Sequence, residues 1–199
     1  MALIRDFFIE LDRRWKQTQA ERIPLRVIGS TALMLHTRYE RRTKDSDVIE
    51  TDFLTEPVRV ALLDIAGQTT ELHRRYGMYL DIVARAIPFL PHPPAYRLVE
   101  SLENLKNFSV DALDATDVVV SKLKRFNAND AGDVEAMVNM GVVEHARLIE
   151  RFKSAVDGYE LDARVEELPK FIANFHVVER DWFQVPETRI DLPDWMDDR

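Results

Sequence analysis

A short apolar run, Leu25 to Ile28, meets Gly29-Ser30 and passes at once into Thr31-Ala32-Leu33-Met34-Leu35-His36, which reads as a short helix. A strand that turns into a helix across one glycine leaves few folds open, because the helix must pack back onto the sheet that holds the strand. The first N–H groups of that helix stay unpaired, at the positive end of its dipole. Such a terminus is a seat for phosphate, and the Ser30 hydroxyl adds a donor.

Downstream, Asp47-Val48-Ile49-Glu50-Thr51 reads as a second strand, led in by Lys44-Asp45-Ser46. Residues two apart on an extended chain point the same way, so Asp45 and Asp47 bring two carboxylates together. Like charges side by side are costly unless a cation sits between them, and hard oxygen donors favour Mg²⁺. Taken separately, a Gly-Ser turn is commonplace and an Asp-x-Asp is usually a solvated loop or a helix cap. In this order they make a phosphate seat followed by a carboxylate pair, which suits metal-assisted phosphoryl or nucleotidyl transfer.

The 199 residues predict one domain, or one with a helical appendage. Hydrophobic residues at 46% and charged residues at 31% exclude a disordered or collagen-like chain. The absence of Cys excludes disulfide scaffolds, zinc ribbons and thiol nucleophiles. No run of about 18 apolar residues predicts a membrane span. Met1-Ala2-Leu3-Ile4-Arg5-Asp6 lacks the basic-then-apolar order of a signal peptide, so the expectation is a cytoplasmic protein with no membrane partner. Lys and Arg number 27 against 35 Asp and Glu, a net charge of −8, which argues against a general nucleic-acid coat but leaves room for a local basic patch.

Along the chain, Leu3, Ile4, Phe7, Phe8, Leu11 and Trp15 give residues 1–20 a helical stripe that Pro24 ends. Glu56 to Ala66 predicts a helix, with Pro57 in its first turn and Gly67 at its end. Thr69 to Arg75 and Met78 to Ala86 read as a hairpin about Tyr76-Gly77, followed by a proline-stiffened loop from Pro88 to Pro94. Tyr96 to Leu102 and Phe108 to Leu113 predict two more strands. From Ala115 the spacing turns helical: Ala115 to Phe126, Asp130 to Met140, Val143 to Val156 and Ala163 to Phe183, punctuated by Gly141 and Gly158. An acidic tail follows from Pro186, in which Trp195 is a candidate partner contact.

Ile28-Gly29-Ser30 and Asp45-Ser46-Asp47 resemble the signature of the nucleotidyltransferase superfamily, the polymerase-β-like fold. Ile28 to His36 with Arg42-Thr43-Lys44-Asp45-Ser46-Asp47-Val48 is similar to bacterial minimal nucleotidyltransferases, many of them toxin halves of toxin–antitoxin pairs. Asp117 to Arg125 followed by Asp130-Ala131-Gly132-Asp133 resembles a further block of those relatives. The resemblance implies an α+β (α/β) fold. Its nucleotidyltransferase core with a mixed sheet would span residues 1–114 with the N-terminal helix, and a C-terminal helical region with the acidic tail would span 115–199. It implies transfer of a nucleoside monophosphate from an NTP to a hydroxyl of an RNA, protein or small-molecule acceptor. Asp45, Asp47 and Asp81 are the implied ligands of Mg²⁺, with Mn²⁺ as the alternative ion. Asp45, Asp47, Asp81 and Lys122 are the implied catalytic residues, and Asp81 is also a candidate base. Gly29, Ser30, Lys122, Asp130 and Asp133 are the implied nucleotide site. The implied partners are tRNA or a protein as acceptor, and an antitoxin.

Plain alternatives stand beside each of these. Lys122 and Lys124 fit a solvated helix face, Asp130 fits a helix cap, and Asp81 fits an ion pair with Arg74 or Arg85. Arg38, Arg41, Arg42 and Lys44 fit either a charged loop or an attractor for a triphosphate or polynucleotide. His36 is a candidate nucleotide contact. The five His show no metal spacing, and Ser30 has no nearby His to make a triad. A degenerate fold serving as a non-catalytic binding module is the alternative to an enzyme, and the intact Gly-Ser and Asp-x-Asp weigh against it.

Overall fold

The computed structural model describes residues 2–17, 21–159, 162 and 164–192; Trp195 and most of the acidic tail lie outside them. The described strands β1 (Ile23–Val27), β2 (Asp45–Ile49), β3 (Tyr79–Val83), β4 (Tyr96–Leu98) and β5 (Phe108–Leu113) form a mixed five-stranded sheet in the order β3-β2-β1-β5-β4. β1 runs parallel to β5 and antiparallel to β2, β2 is parallel to β3, and β4 is antiparallel to β5. The chain divides into two units: a sheet unit of Met1–Ile87 with Tyr96–Asp114, and a helical unit of Pro88–Ala95 with Ala115–Arg199. The sequence-based boundary after Asp114 is contiguous, whereas in the structure the proline segment groups with the helices.

In the sheet unit the alternation of side chains decides the layers. Ile23, Leu25 and Val27 of β1, Ser46 and Val48 of β2, Leu80 of β3, and Phe108, Val110 and Ala112 of β5 are all buried, and register places them on one face. Helices α1 (Ala2–Arg14), α2 (Gly29–His36), α3 (Glu56–Ala66) and α4 (Glu71–Tyr76) complete the unit. α2, α3 and α4 pack on strands, and α1 packs on those three helices through Phe7, Phe8 and Leu11, none of them exposed. Burial of each such side chain stabilises the unit by roughly 1.5–3 kcal/mol. The opposite face carries Arg26, Asp45, Asp47, Tyr79, Asp81 and Asp111, and none of these is buried.

Three expectations are corrected here. Pro24 does not end a helix; it lies inside β1, opposite Ser109. Thr69 to Arg75 is not a strand, and the hairpin does not form. Thr70 accepts a hydrogen bond from the His73 N–H as an N-cap, Glu71 sits in the first turn, and Gly77 closes α4 in the left-handed region at φ 70°. Leu102 ends a 3-10 turn, Glu100–Leu102, rather than a strand.

The helical unit contains α5 (Ala115–Lys122), α6 (Ala128–Asn139), α7 (His145–Tyr159) and α8 (Leu168–Val178). Gly158 lies within α7 instead of ending a helix. The long helix expected over Ala163 to Phe183 is broken into a 3-10 turn, α8 with Pro169 in its first turn, and a π turn, Glu179–Phe183. Phe89, Phe152, Phe171 and Phe175 are wholly buried, with Phe152 stacked on Phe175 at 4.5 Å between ring centroids. Phe89 brings the proline segment into this core through Phe152, Tyr159 and Phe171. Asp117, wholly buried, accepts from Arg151 through both oxygens, at 2.7 and 2.6 Å, and from the Ala95 N–H at 2.7 Å.

Candidate active site

β1 ends at Val27, and the chain enters α2 through Ile28 and Gly29. The Ile28 N–H donates to the Asp47 carbonyl at 2.9 Å, and the Thr31 hydroxyl donates to the Asp45 carbonyl at 3.2 Å. The first turn of α2 is thereby stitched to the backbone of β2. Gly29 adopts φ 66°, which disfavours any side chain, and a Cβ built there would stand 3.0 Å from Asp47 Oδ2. The glycine bend and the acidic pair therefore converge: the Asp47 carboxylate rests against the turn that begins the helix. Ile28 offers no side-chain cap, and the first turn holds no acidic residue. A helix N-terminus of this kind favours an anion.

Asp45 and Asp47 share the non-buried face of β2; Asp45 is exposed and Asp47 half-buried. The Thr43 hydroxyl donates to Asp45 Oδ1 at 2.8 Å and so fixes one of its oxygens. Asp81 occupies the position on β3 directly paired with Asp47, and paired positions on adjacent strands point the same way. Strands lie about 4.8 Å apart, so the Asp47 and Asp81 side chains rise from neighbouring points of one face. Asp81 is exposed, not the enclosed strand charge that its apolar neighbours suggest, because β3 is the edge of the sheet. It pairs with neither arginine proposed for it: Arg74 donates to the Thr69 carbonyl and Arg85 to Asp52.

Among the described residues no group of three or more His, Asp or Glu could hold a metal ion, so the three aspartates do not make such a group by themselves. Mg²⁺ is commonly held by one or two carboxylates together with water and substrate phosphate. The Asp45–Asp47 pair, with Asp47 resting against the first turn of α2, has the donor chemistry for that arrangement, and a hard divalent cation fits it.

The same face carries residues the sequence reasoning passed over. Arg26 stands on β1 next to Val27, whose partner on β2 is Val48, and so shares the face that carries Asp47. Its guanidinium lies 5.1 Å from the centre of the Tyr96 ring, and its register partner on β5 is Asp111. The signal was present: buried Ile23, Leu25 and Val27 alternate with Arg26, which must then face the other way. His36 is engaged elsewhere, its Nε2 in a 3.0 Å hydrogen bond with the Ala112 carbonyl.

In the helical unit Lys122 is not on a solvated face. It is buried, with its Nζ 3.1 Å from Asp130 Oδ1 and 2.6 Å from Asp133 Oδ2. Arg125 closes the network through Asp130, at 2.7 Å. Two cations thus balance two buried carboxylates, which is the condition for burying them at all. Burial alone raises the Asp130 pKa; the Arg125 hydrogen bonds and the Lys122 charge outweigh it and hold the carboxyl below its ordinary range. Asp130 does not cap α6: Asn127 does, accepting from the Asn129 and Asp130 N–H groups.

A mixed sheet with a strand–Gly-Ser–helix bend set against an Asp-x-Asp strand defines the core of a nucleotidyltransferase. A family described as nucleotidyltransferase of unknown function (DUF6036) matches residues 6–182, and the chain belongs to that family. Searches of curated proteins and of solved structures each return no match. Among the described residues no helix is long and apolar enough to cross a membrane.

Proposed function

We propose that the protein transfers a nucleoside monophosphate from an NTP to an acceptor hydroxyl and releases pyrophosphate, with Mg²⁺ (or Mn²⁺) as the ion. The observation that carries this reading is the approach of Asp47 Oδ2 to Gly29, which sets a carboxylate at the mouth of a helix terminus suited to phosphate. Asp45 and Asp47 hold the cation, and Gly29 and Ser30 receive the triphosphate through the first turn of α2. The bound ion supplies charge stabilisation to the phosphoryl oxygens. Asp81, at the exposed edge, takes the proton of the acceptor hydroxyl. The hydroxyl oxygen then bonds to the α-phosphorus as the bond from that phosphorus to the β-bridging oxygen breaks. This reading draws on the sheet unit alone.

The test is incubation with each α-labelled NTP, Mg²⁺ and total cellular RNA or protein. Wild type is expected to transfer label, and Asp47→Asn to lose transfer by at least about 100-fold. Equal labelling by both would remove the proposed site. The finer reading, a toxin with tRNA or protein as acceptor and a cognate antitoxin, predicts growth arrest on expression that Asp45→Asn abolishes. Harmless expression of an active enzyme contradicts it.

A further inference from the structure

A cavity of about 590 Å³ opens at the end of the sheet where β2 and β3 begin. Glu40, Arg41, Arg42 and Lys44 line it, together with Tyr76 and the exposed Leu3. Lys44 immediately precedes Asp45, and its carbonyl accepts from the Tyr79 N–H at 2.8 Å, so the cationic wall leads directly into the strand that carries the carboxylates. We propose that this groove is the acceptor site, and that it takes a single-stranded polynucleotide whose terminal hydroxyl is presented to Asp45, Asp47 and Asp81. This rests on the transferase reading above and names the acceptor for it.

Charge carries the first part of the argument. Residues 38–44, Arg-Tyr-Glu-Arg-Arg-Thr-Lys, hold four cations and one acid, a local balance of +3 in a chain of net −8. Arg38, Arg42 and Lys44 are exposed. A positive strip on a negative protein steers a polyanion to one place and repels it elsewhere. The wall chemistry carries the second part. The half-buried Tyr76 ring, with the Arg75 guanidinium 5.4 Å from its centre, and the exposed Leu3 side chain offer apolar surface, over a floor of buried Met34 and Met78. Single strands are held in this way, with cations along the phosphates and an aromatic face under a base. An acidic peptide would use the cations and leave the apolar wall without a partner. The triphosphate has its own seat at the N-terminus of α2, whereas the cationic loop leaves the C-terminal end of that helix and leads into β2.

The experiment uses the full chain and a fluorescein-labelled single strand of about 12 nucleotides, as RNA and as DNA, in an anisotropy titration over a range of salt. Arg42→Gln with Lys44→Gln is expected to weaken binding at least about tenfold at low salt, and to reduce the slope of log affinity against log salt by about 1.4, since each lost phosphate contact on a single strand removes about 0.7. Arg42→Lys with Lys44→Arg is expected to keep the wild-type slope. Lys153→Gln with Lys170→Gln, an equal charge change on exposed positions of the helical unit, is expected to leave binding within about twofold. Tighter binding of one strand type identifies which nucleic acid is the acceptor. An unchanged slope in the first pair, an equal fall in the control pair, or displacement of the strand by polyglutamate at matched charge overturns the proposal. Mg²⁺–NTP stabilisation of wild type, measured alongside by thermal unfolding, reads the transferase account separately: its absence with salt-dependent strand binding intact would sink that account and leave the groove.

Discussion

Replacing Gly29 by alanine tests the junction between turn and carboxylate, and the structure supplies its own control. Gly29 and Gly141 have nearly the same backbone, φ 66° and φ 65°, but a Cβ at Gly141 would meet nothing within 4 Å, whereas one at Gly29 would stand 3.0 Å from Asp47 Oδ2. Alanine in the left-handed region costs roughly 1–2 kcal/mol at either place. For a chain of this size that is a fall of roughly 2–8 °C in Tm, common to both variants. Only Gly29→Ala also pushes the Asp47 carboxylate away from the helix terminus. Displacing groups that orient a metal ligand commonly weakens metal binding by about 10–100-fold, or about 1.4–2.8 kcal/mol. Calorimetric titration with Mg²⁺ and a non-hydrolysable NTP should therefore show that loss in Gly29→Ala and wild-type affinity in Gly141→Ala. Equal affinity in the two variants would refute the reasoning, because the close approach would then have no bearing on the ligand.

Lys122→Met leaves Asp130 and Asp133 buried without their shared cation, and urea unfolding should register a loss of about 3–5 kcal/mol; a loss below about 1 kcal/mol contradicts a buried ion network. Because the Asp130 carboxyl is held below its ordinary value of 3.8, its contribution is fully present above that pH and is lost as the pH falls through the lower, folded value. The Tm of wild type should accordingly fall more steeply below about pH 3.8 than that of Asp130→Asn, and parallel curves would count against it. Phe89→Ala opens a cavity against Phe152, Tyr159 and Phe171 and should cost about 3–5 kcal/mol in the helical unit; near-neutral behaviour would show that the proline segment is not part of that core.

Local signals were the ones the sequence displayed. The bend at Gly29-Ser30 is contiguous, and α3 runs over Glu56–Ala66, where Pro57 and Gly67 place it. α4 was misread because six residues are too few to display a helical period; the Thr70 cap and Gly77 held the better information. The standing of Asp81 was not legible, because its alignment with Asp47 arises from pairing between strands far apart in sequence. The contact between Arg26 and Tyr96 was hidden for the same reason: β5 lies between the strands that carry them. The burial of Lys122 likewise depends on how α5 meets α6, which no spacing within either helix records.

The central claim is that Asp47 and the Gly29-Ser30 turn together bind a metal–nucleotide complex. Electron paramagnetic resonance of Mn²⁺ with NTP, added to wild type and to Asp47→Asn, measures this most directly. The account predicts a protein-bound Mn²⁺ signal in wild type that needs the nucleotide and disappears in Asp47→Asn. A bound signal of equal strength in both proteins would contradict it.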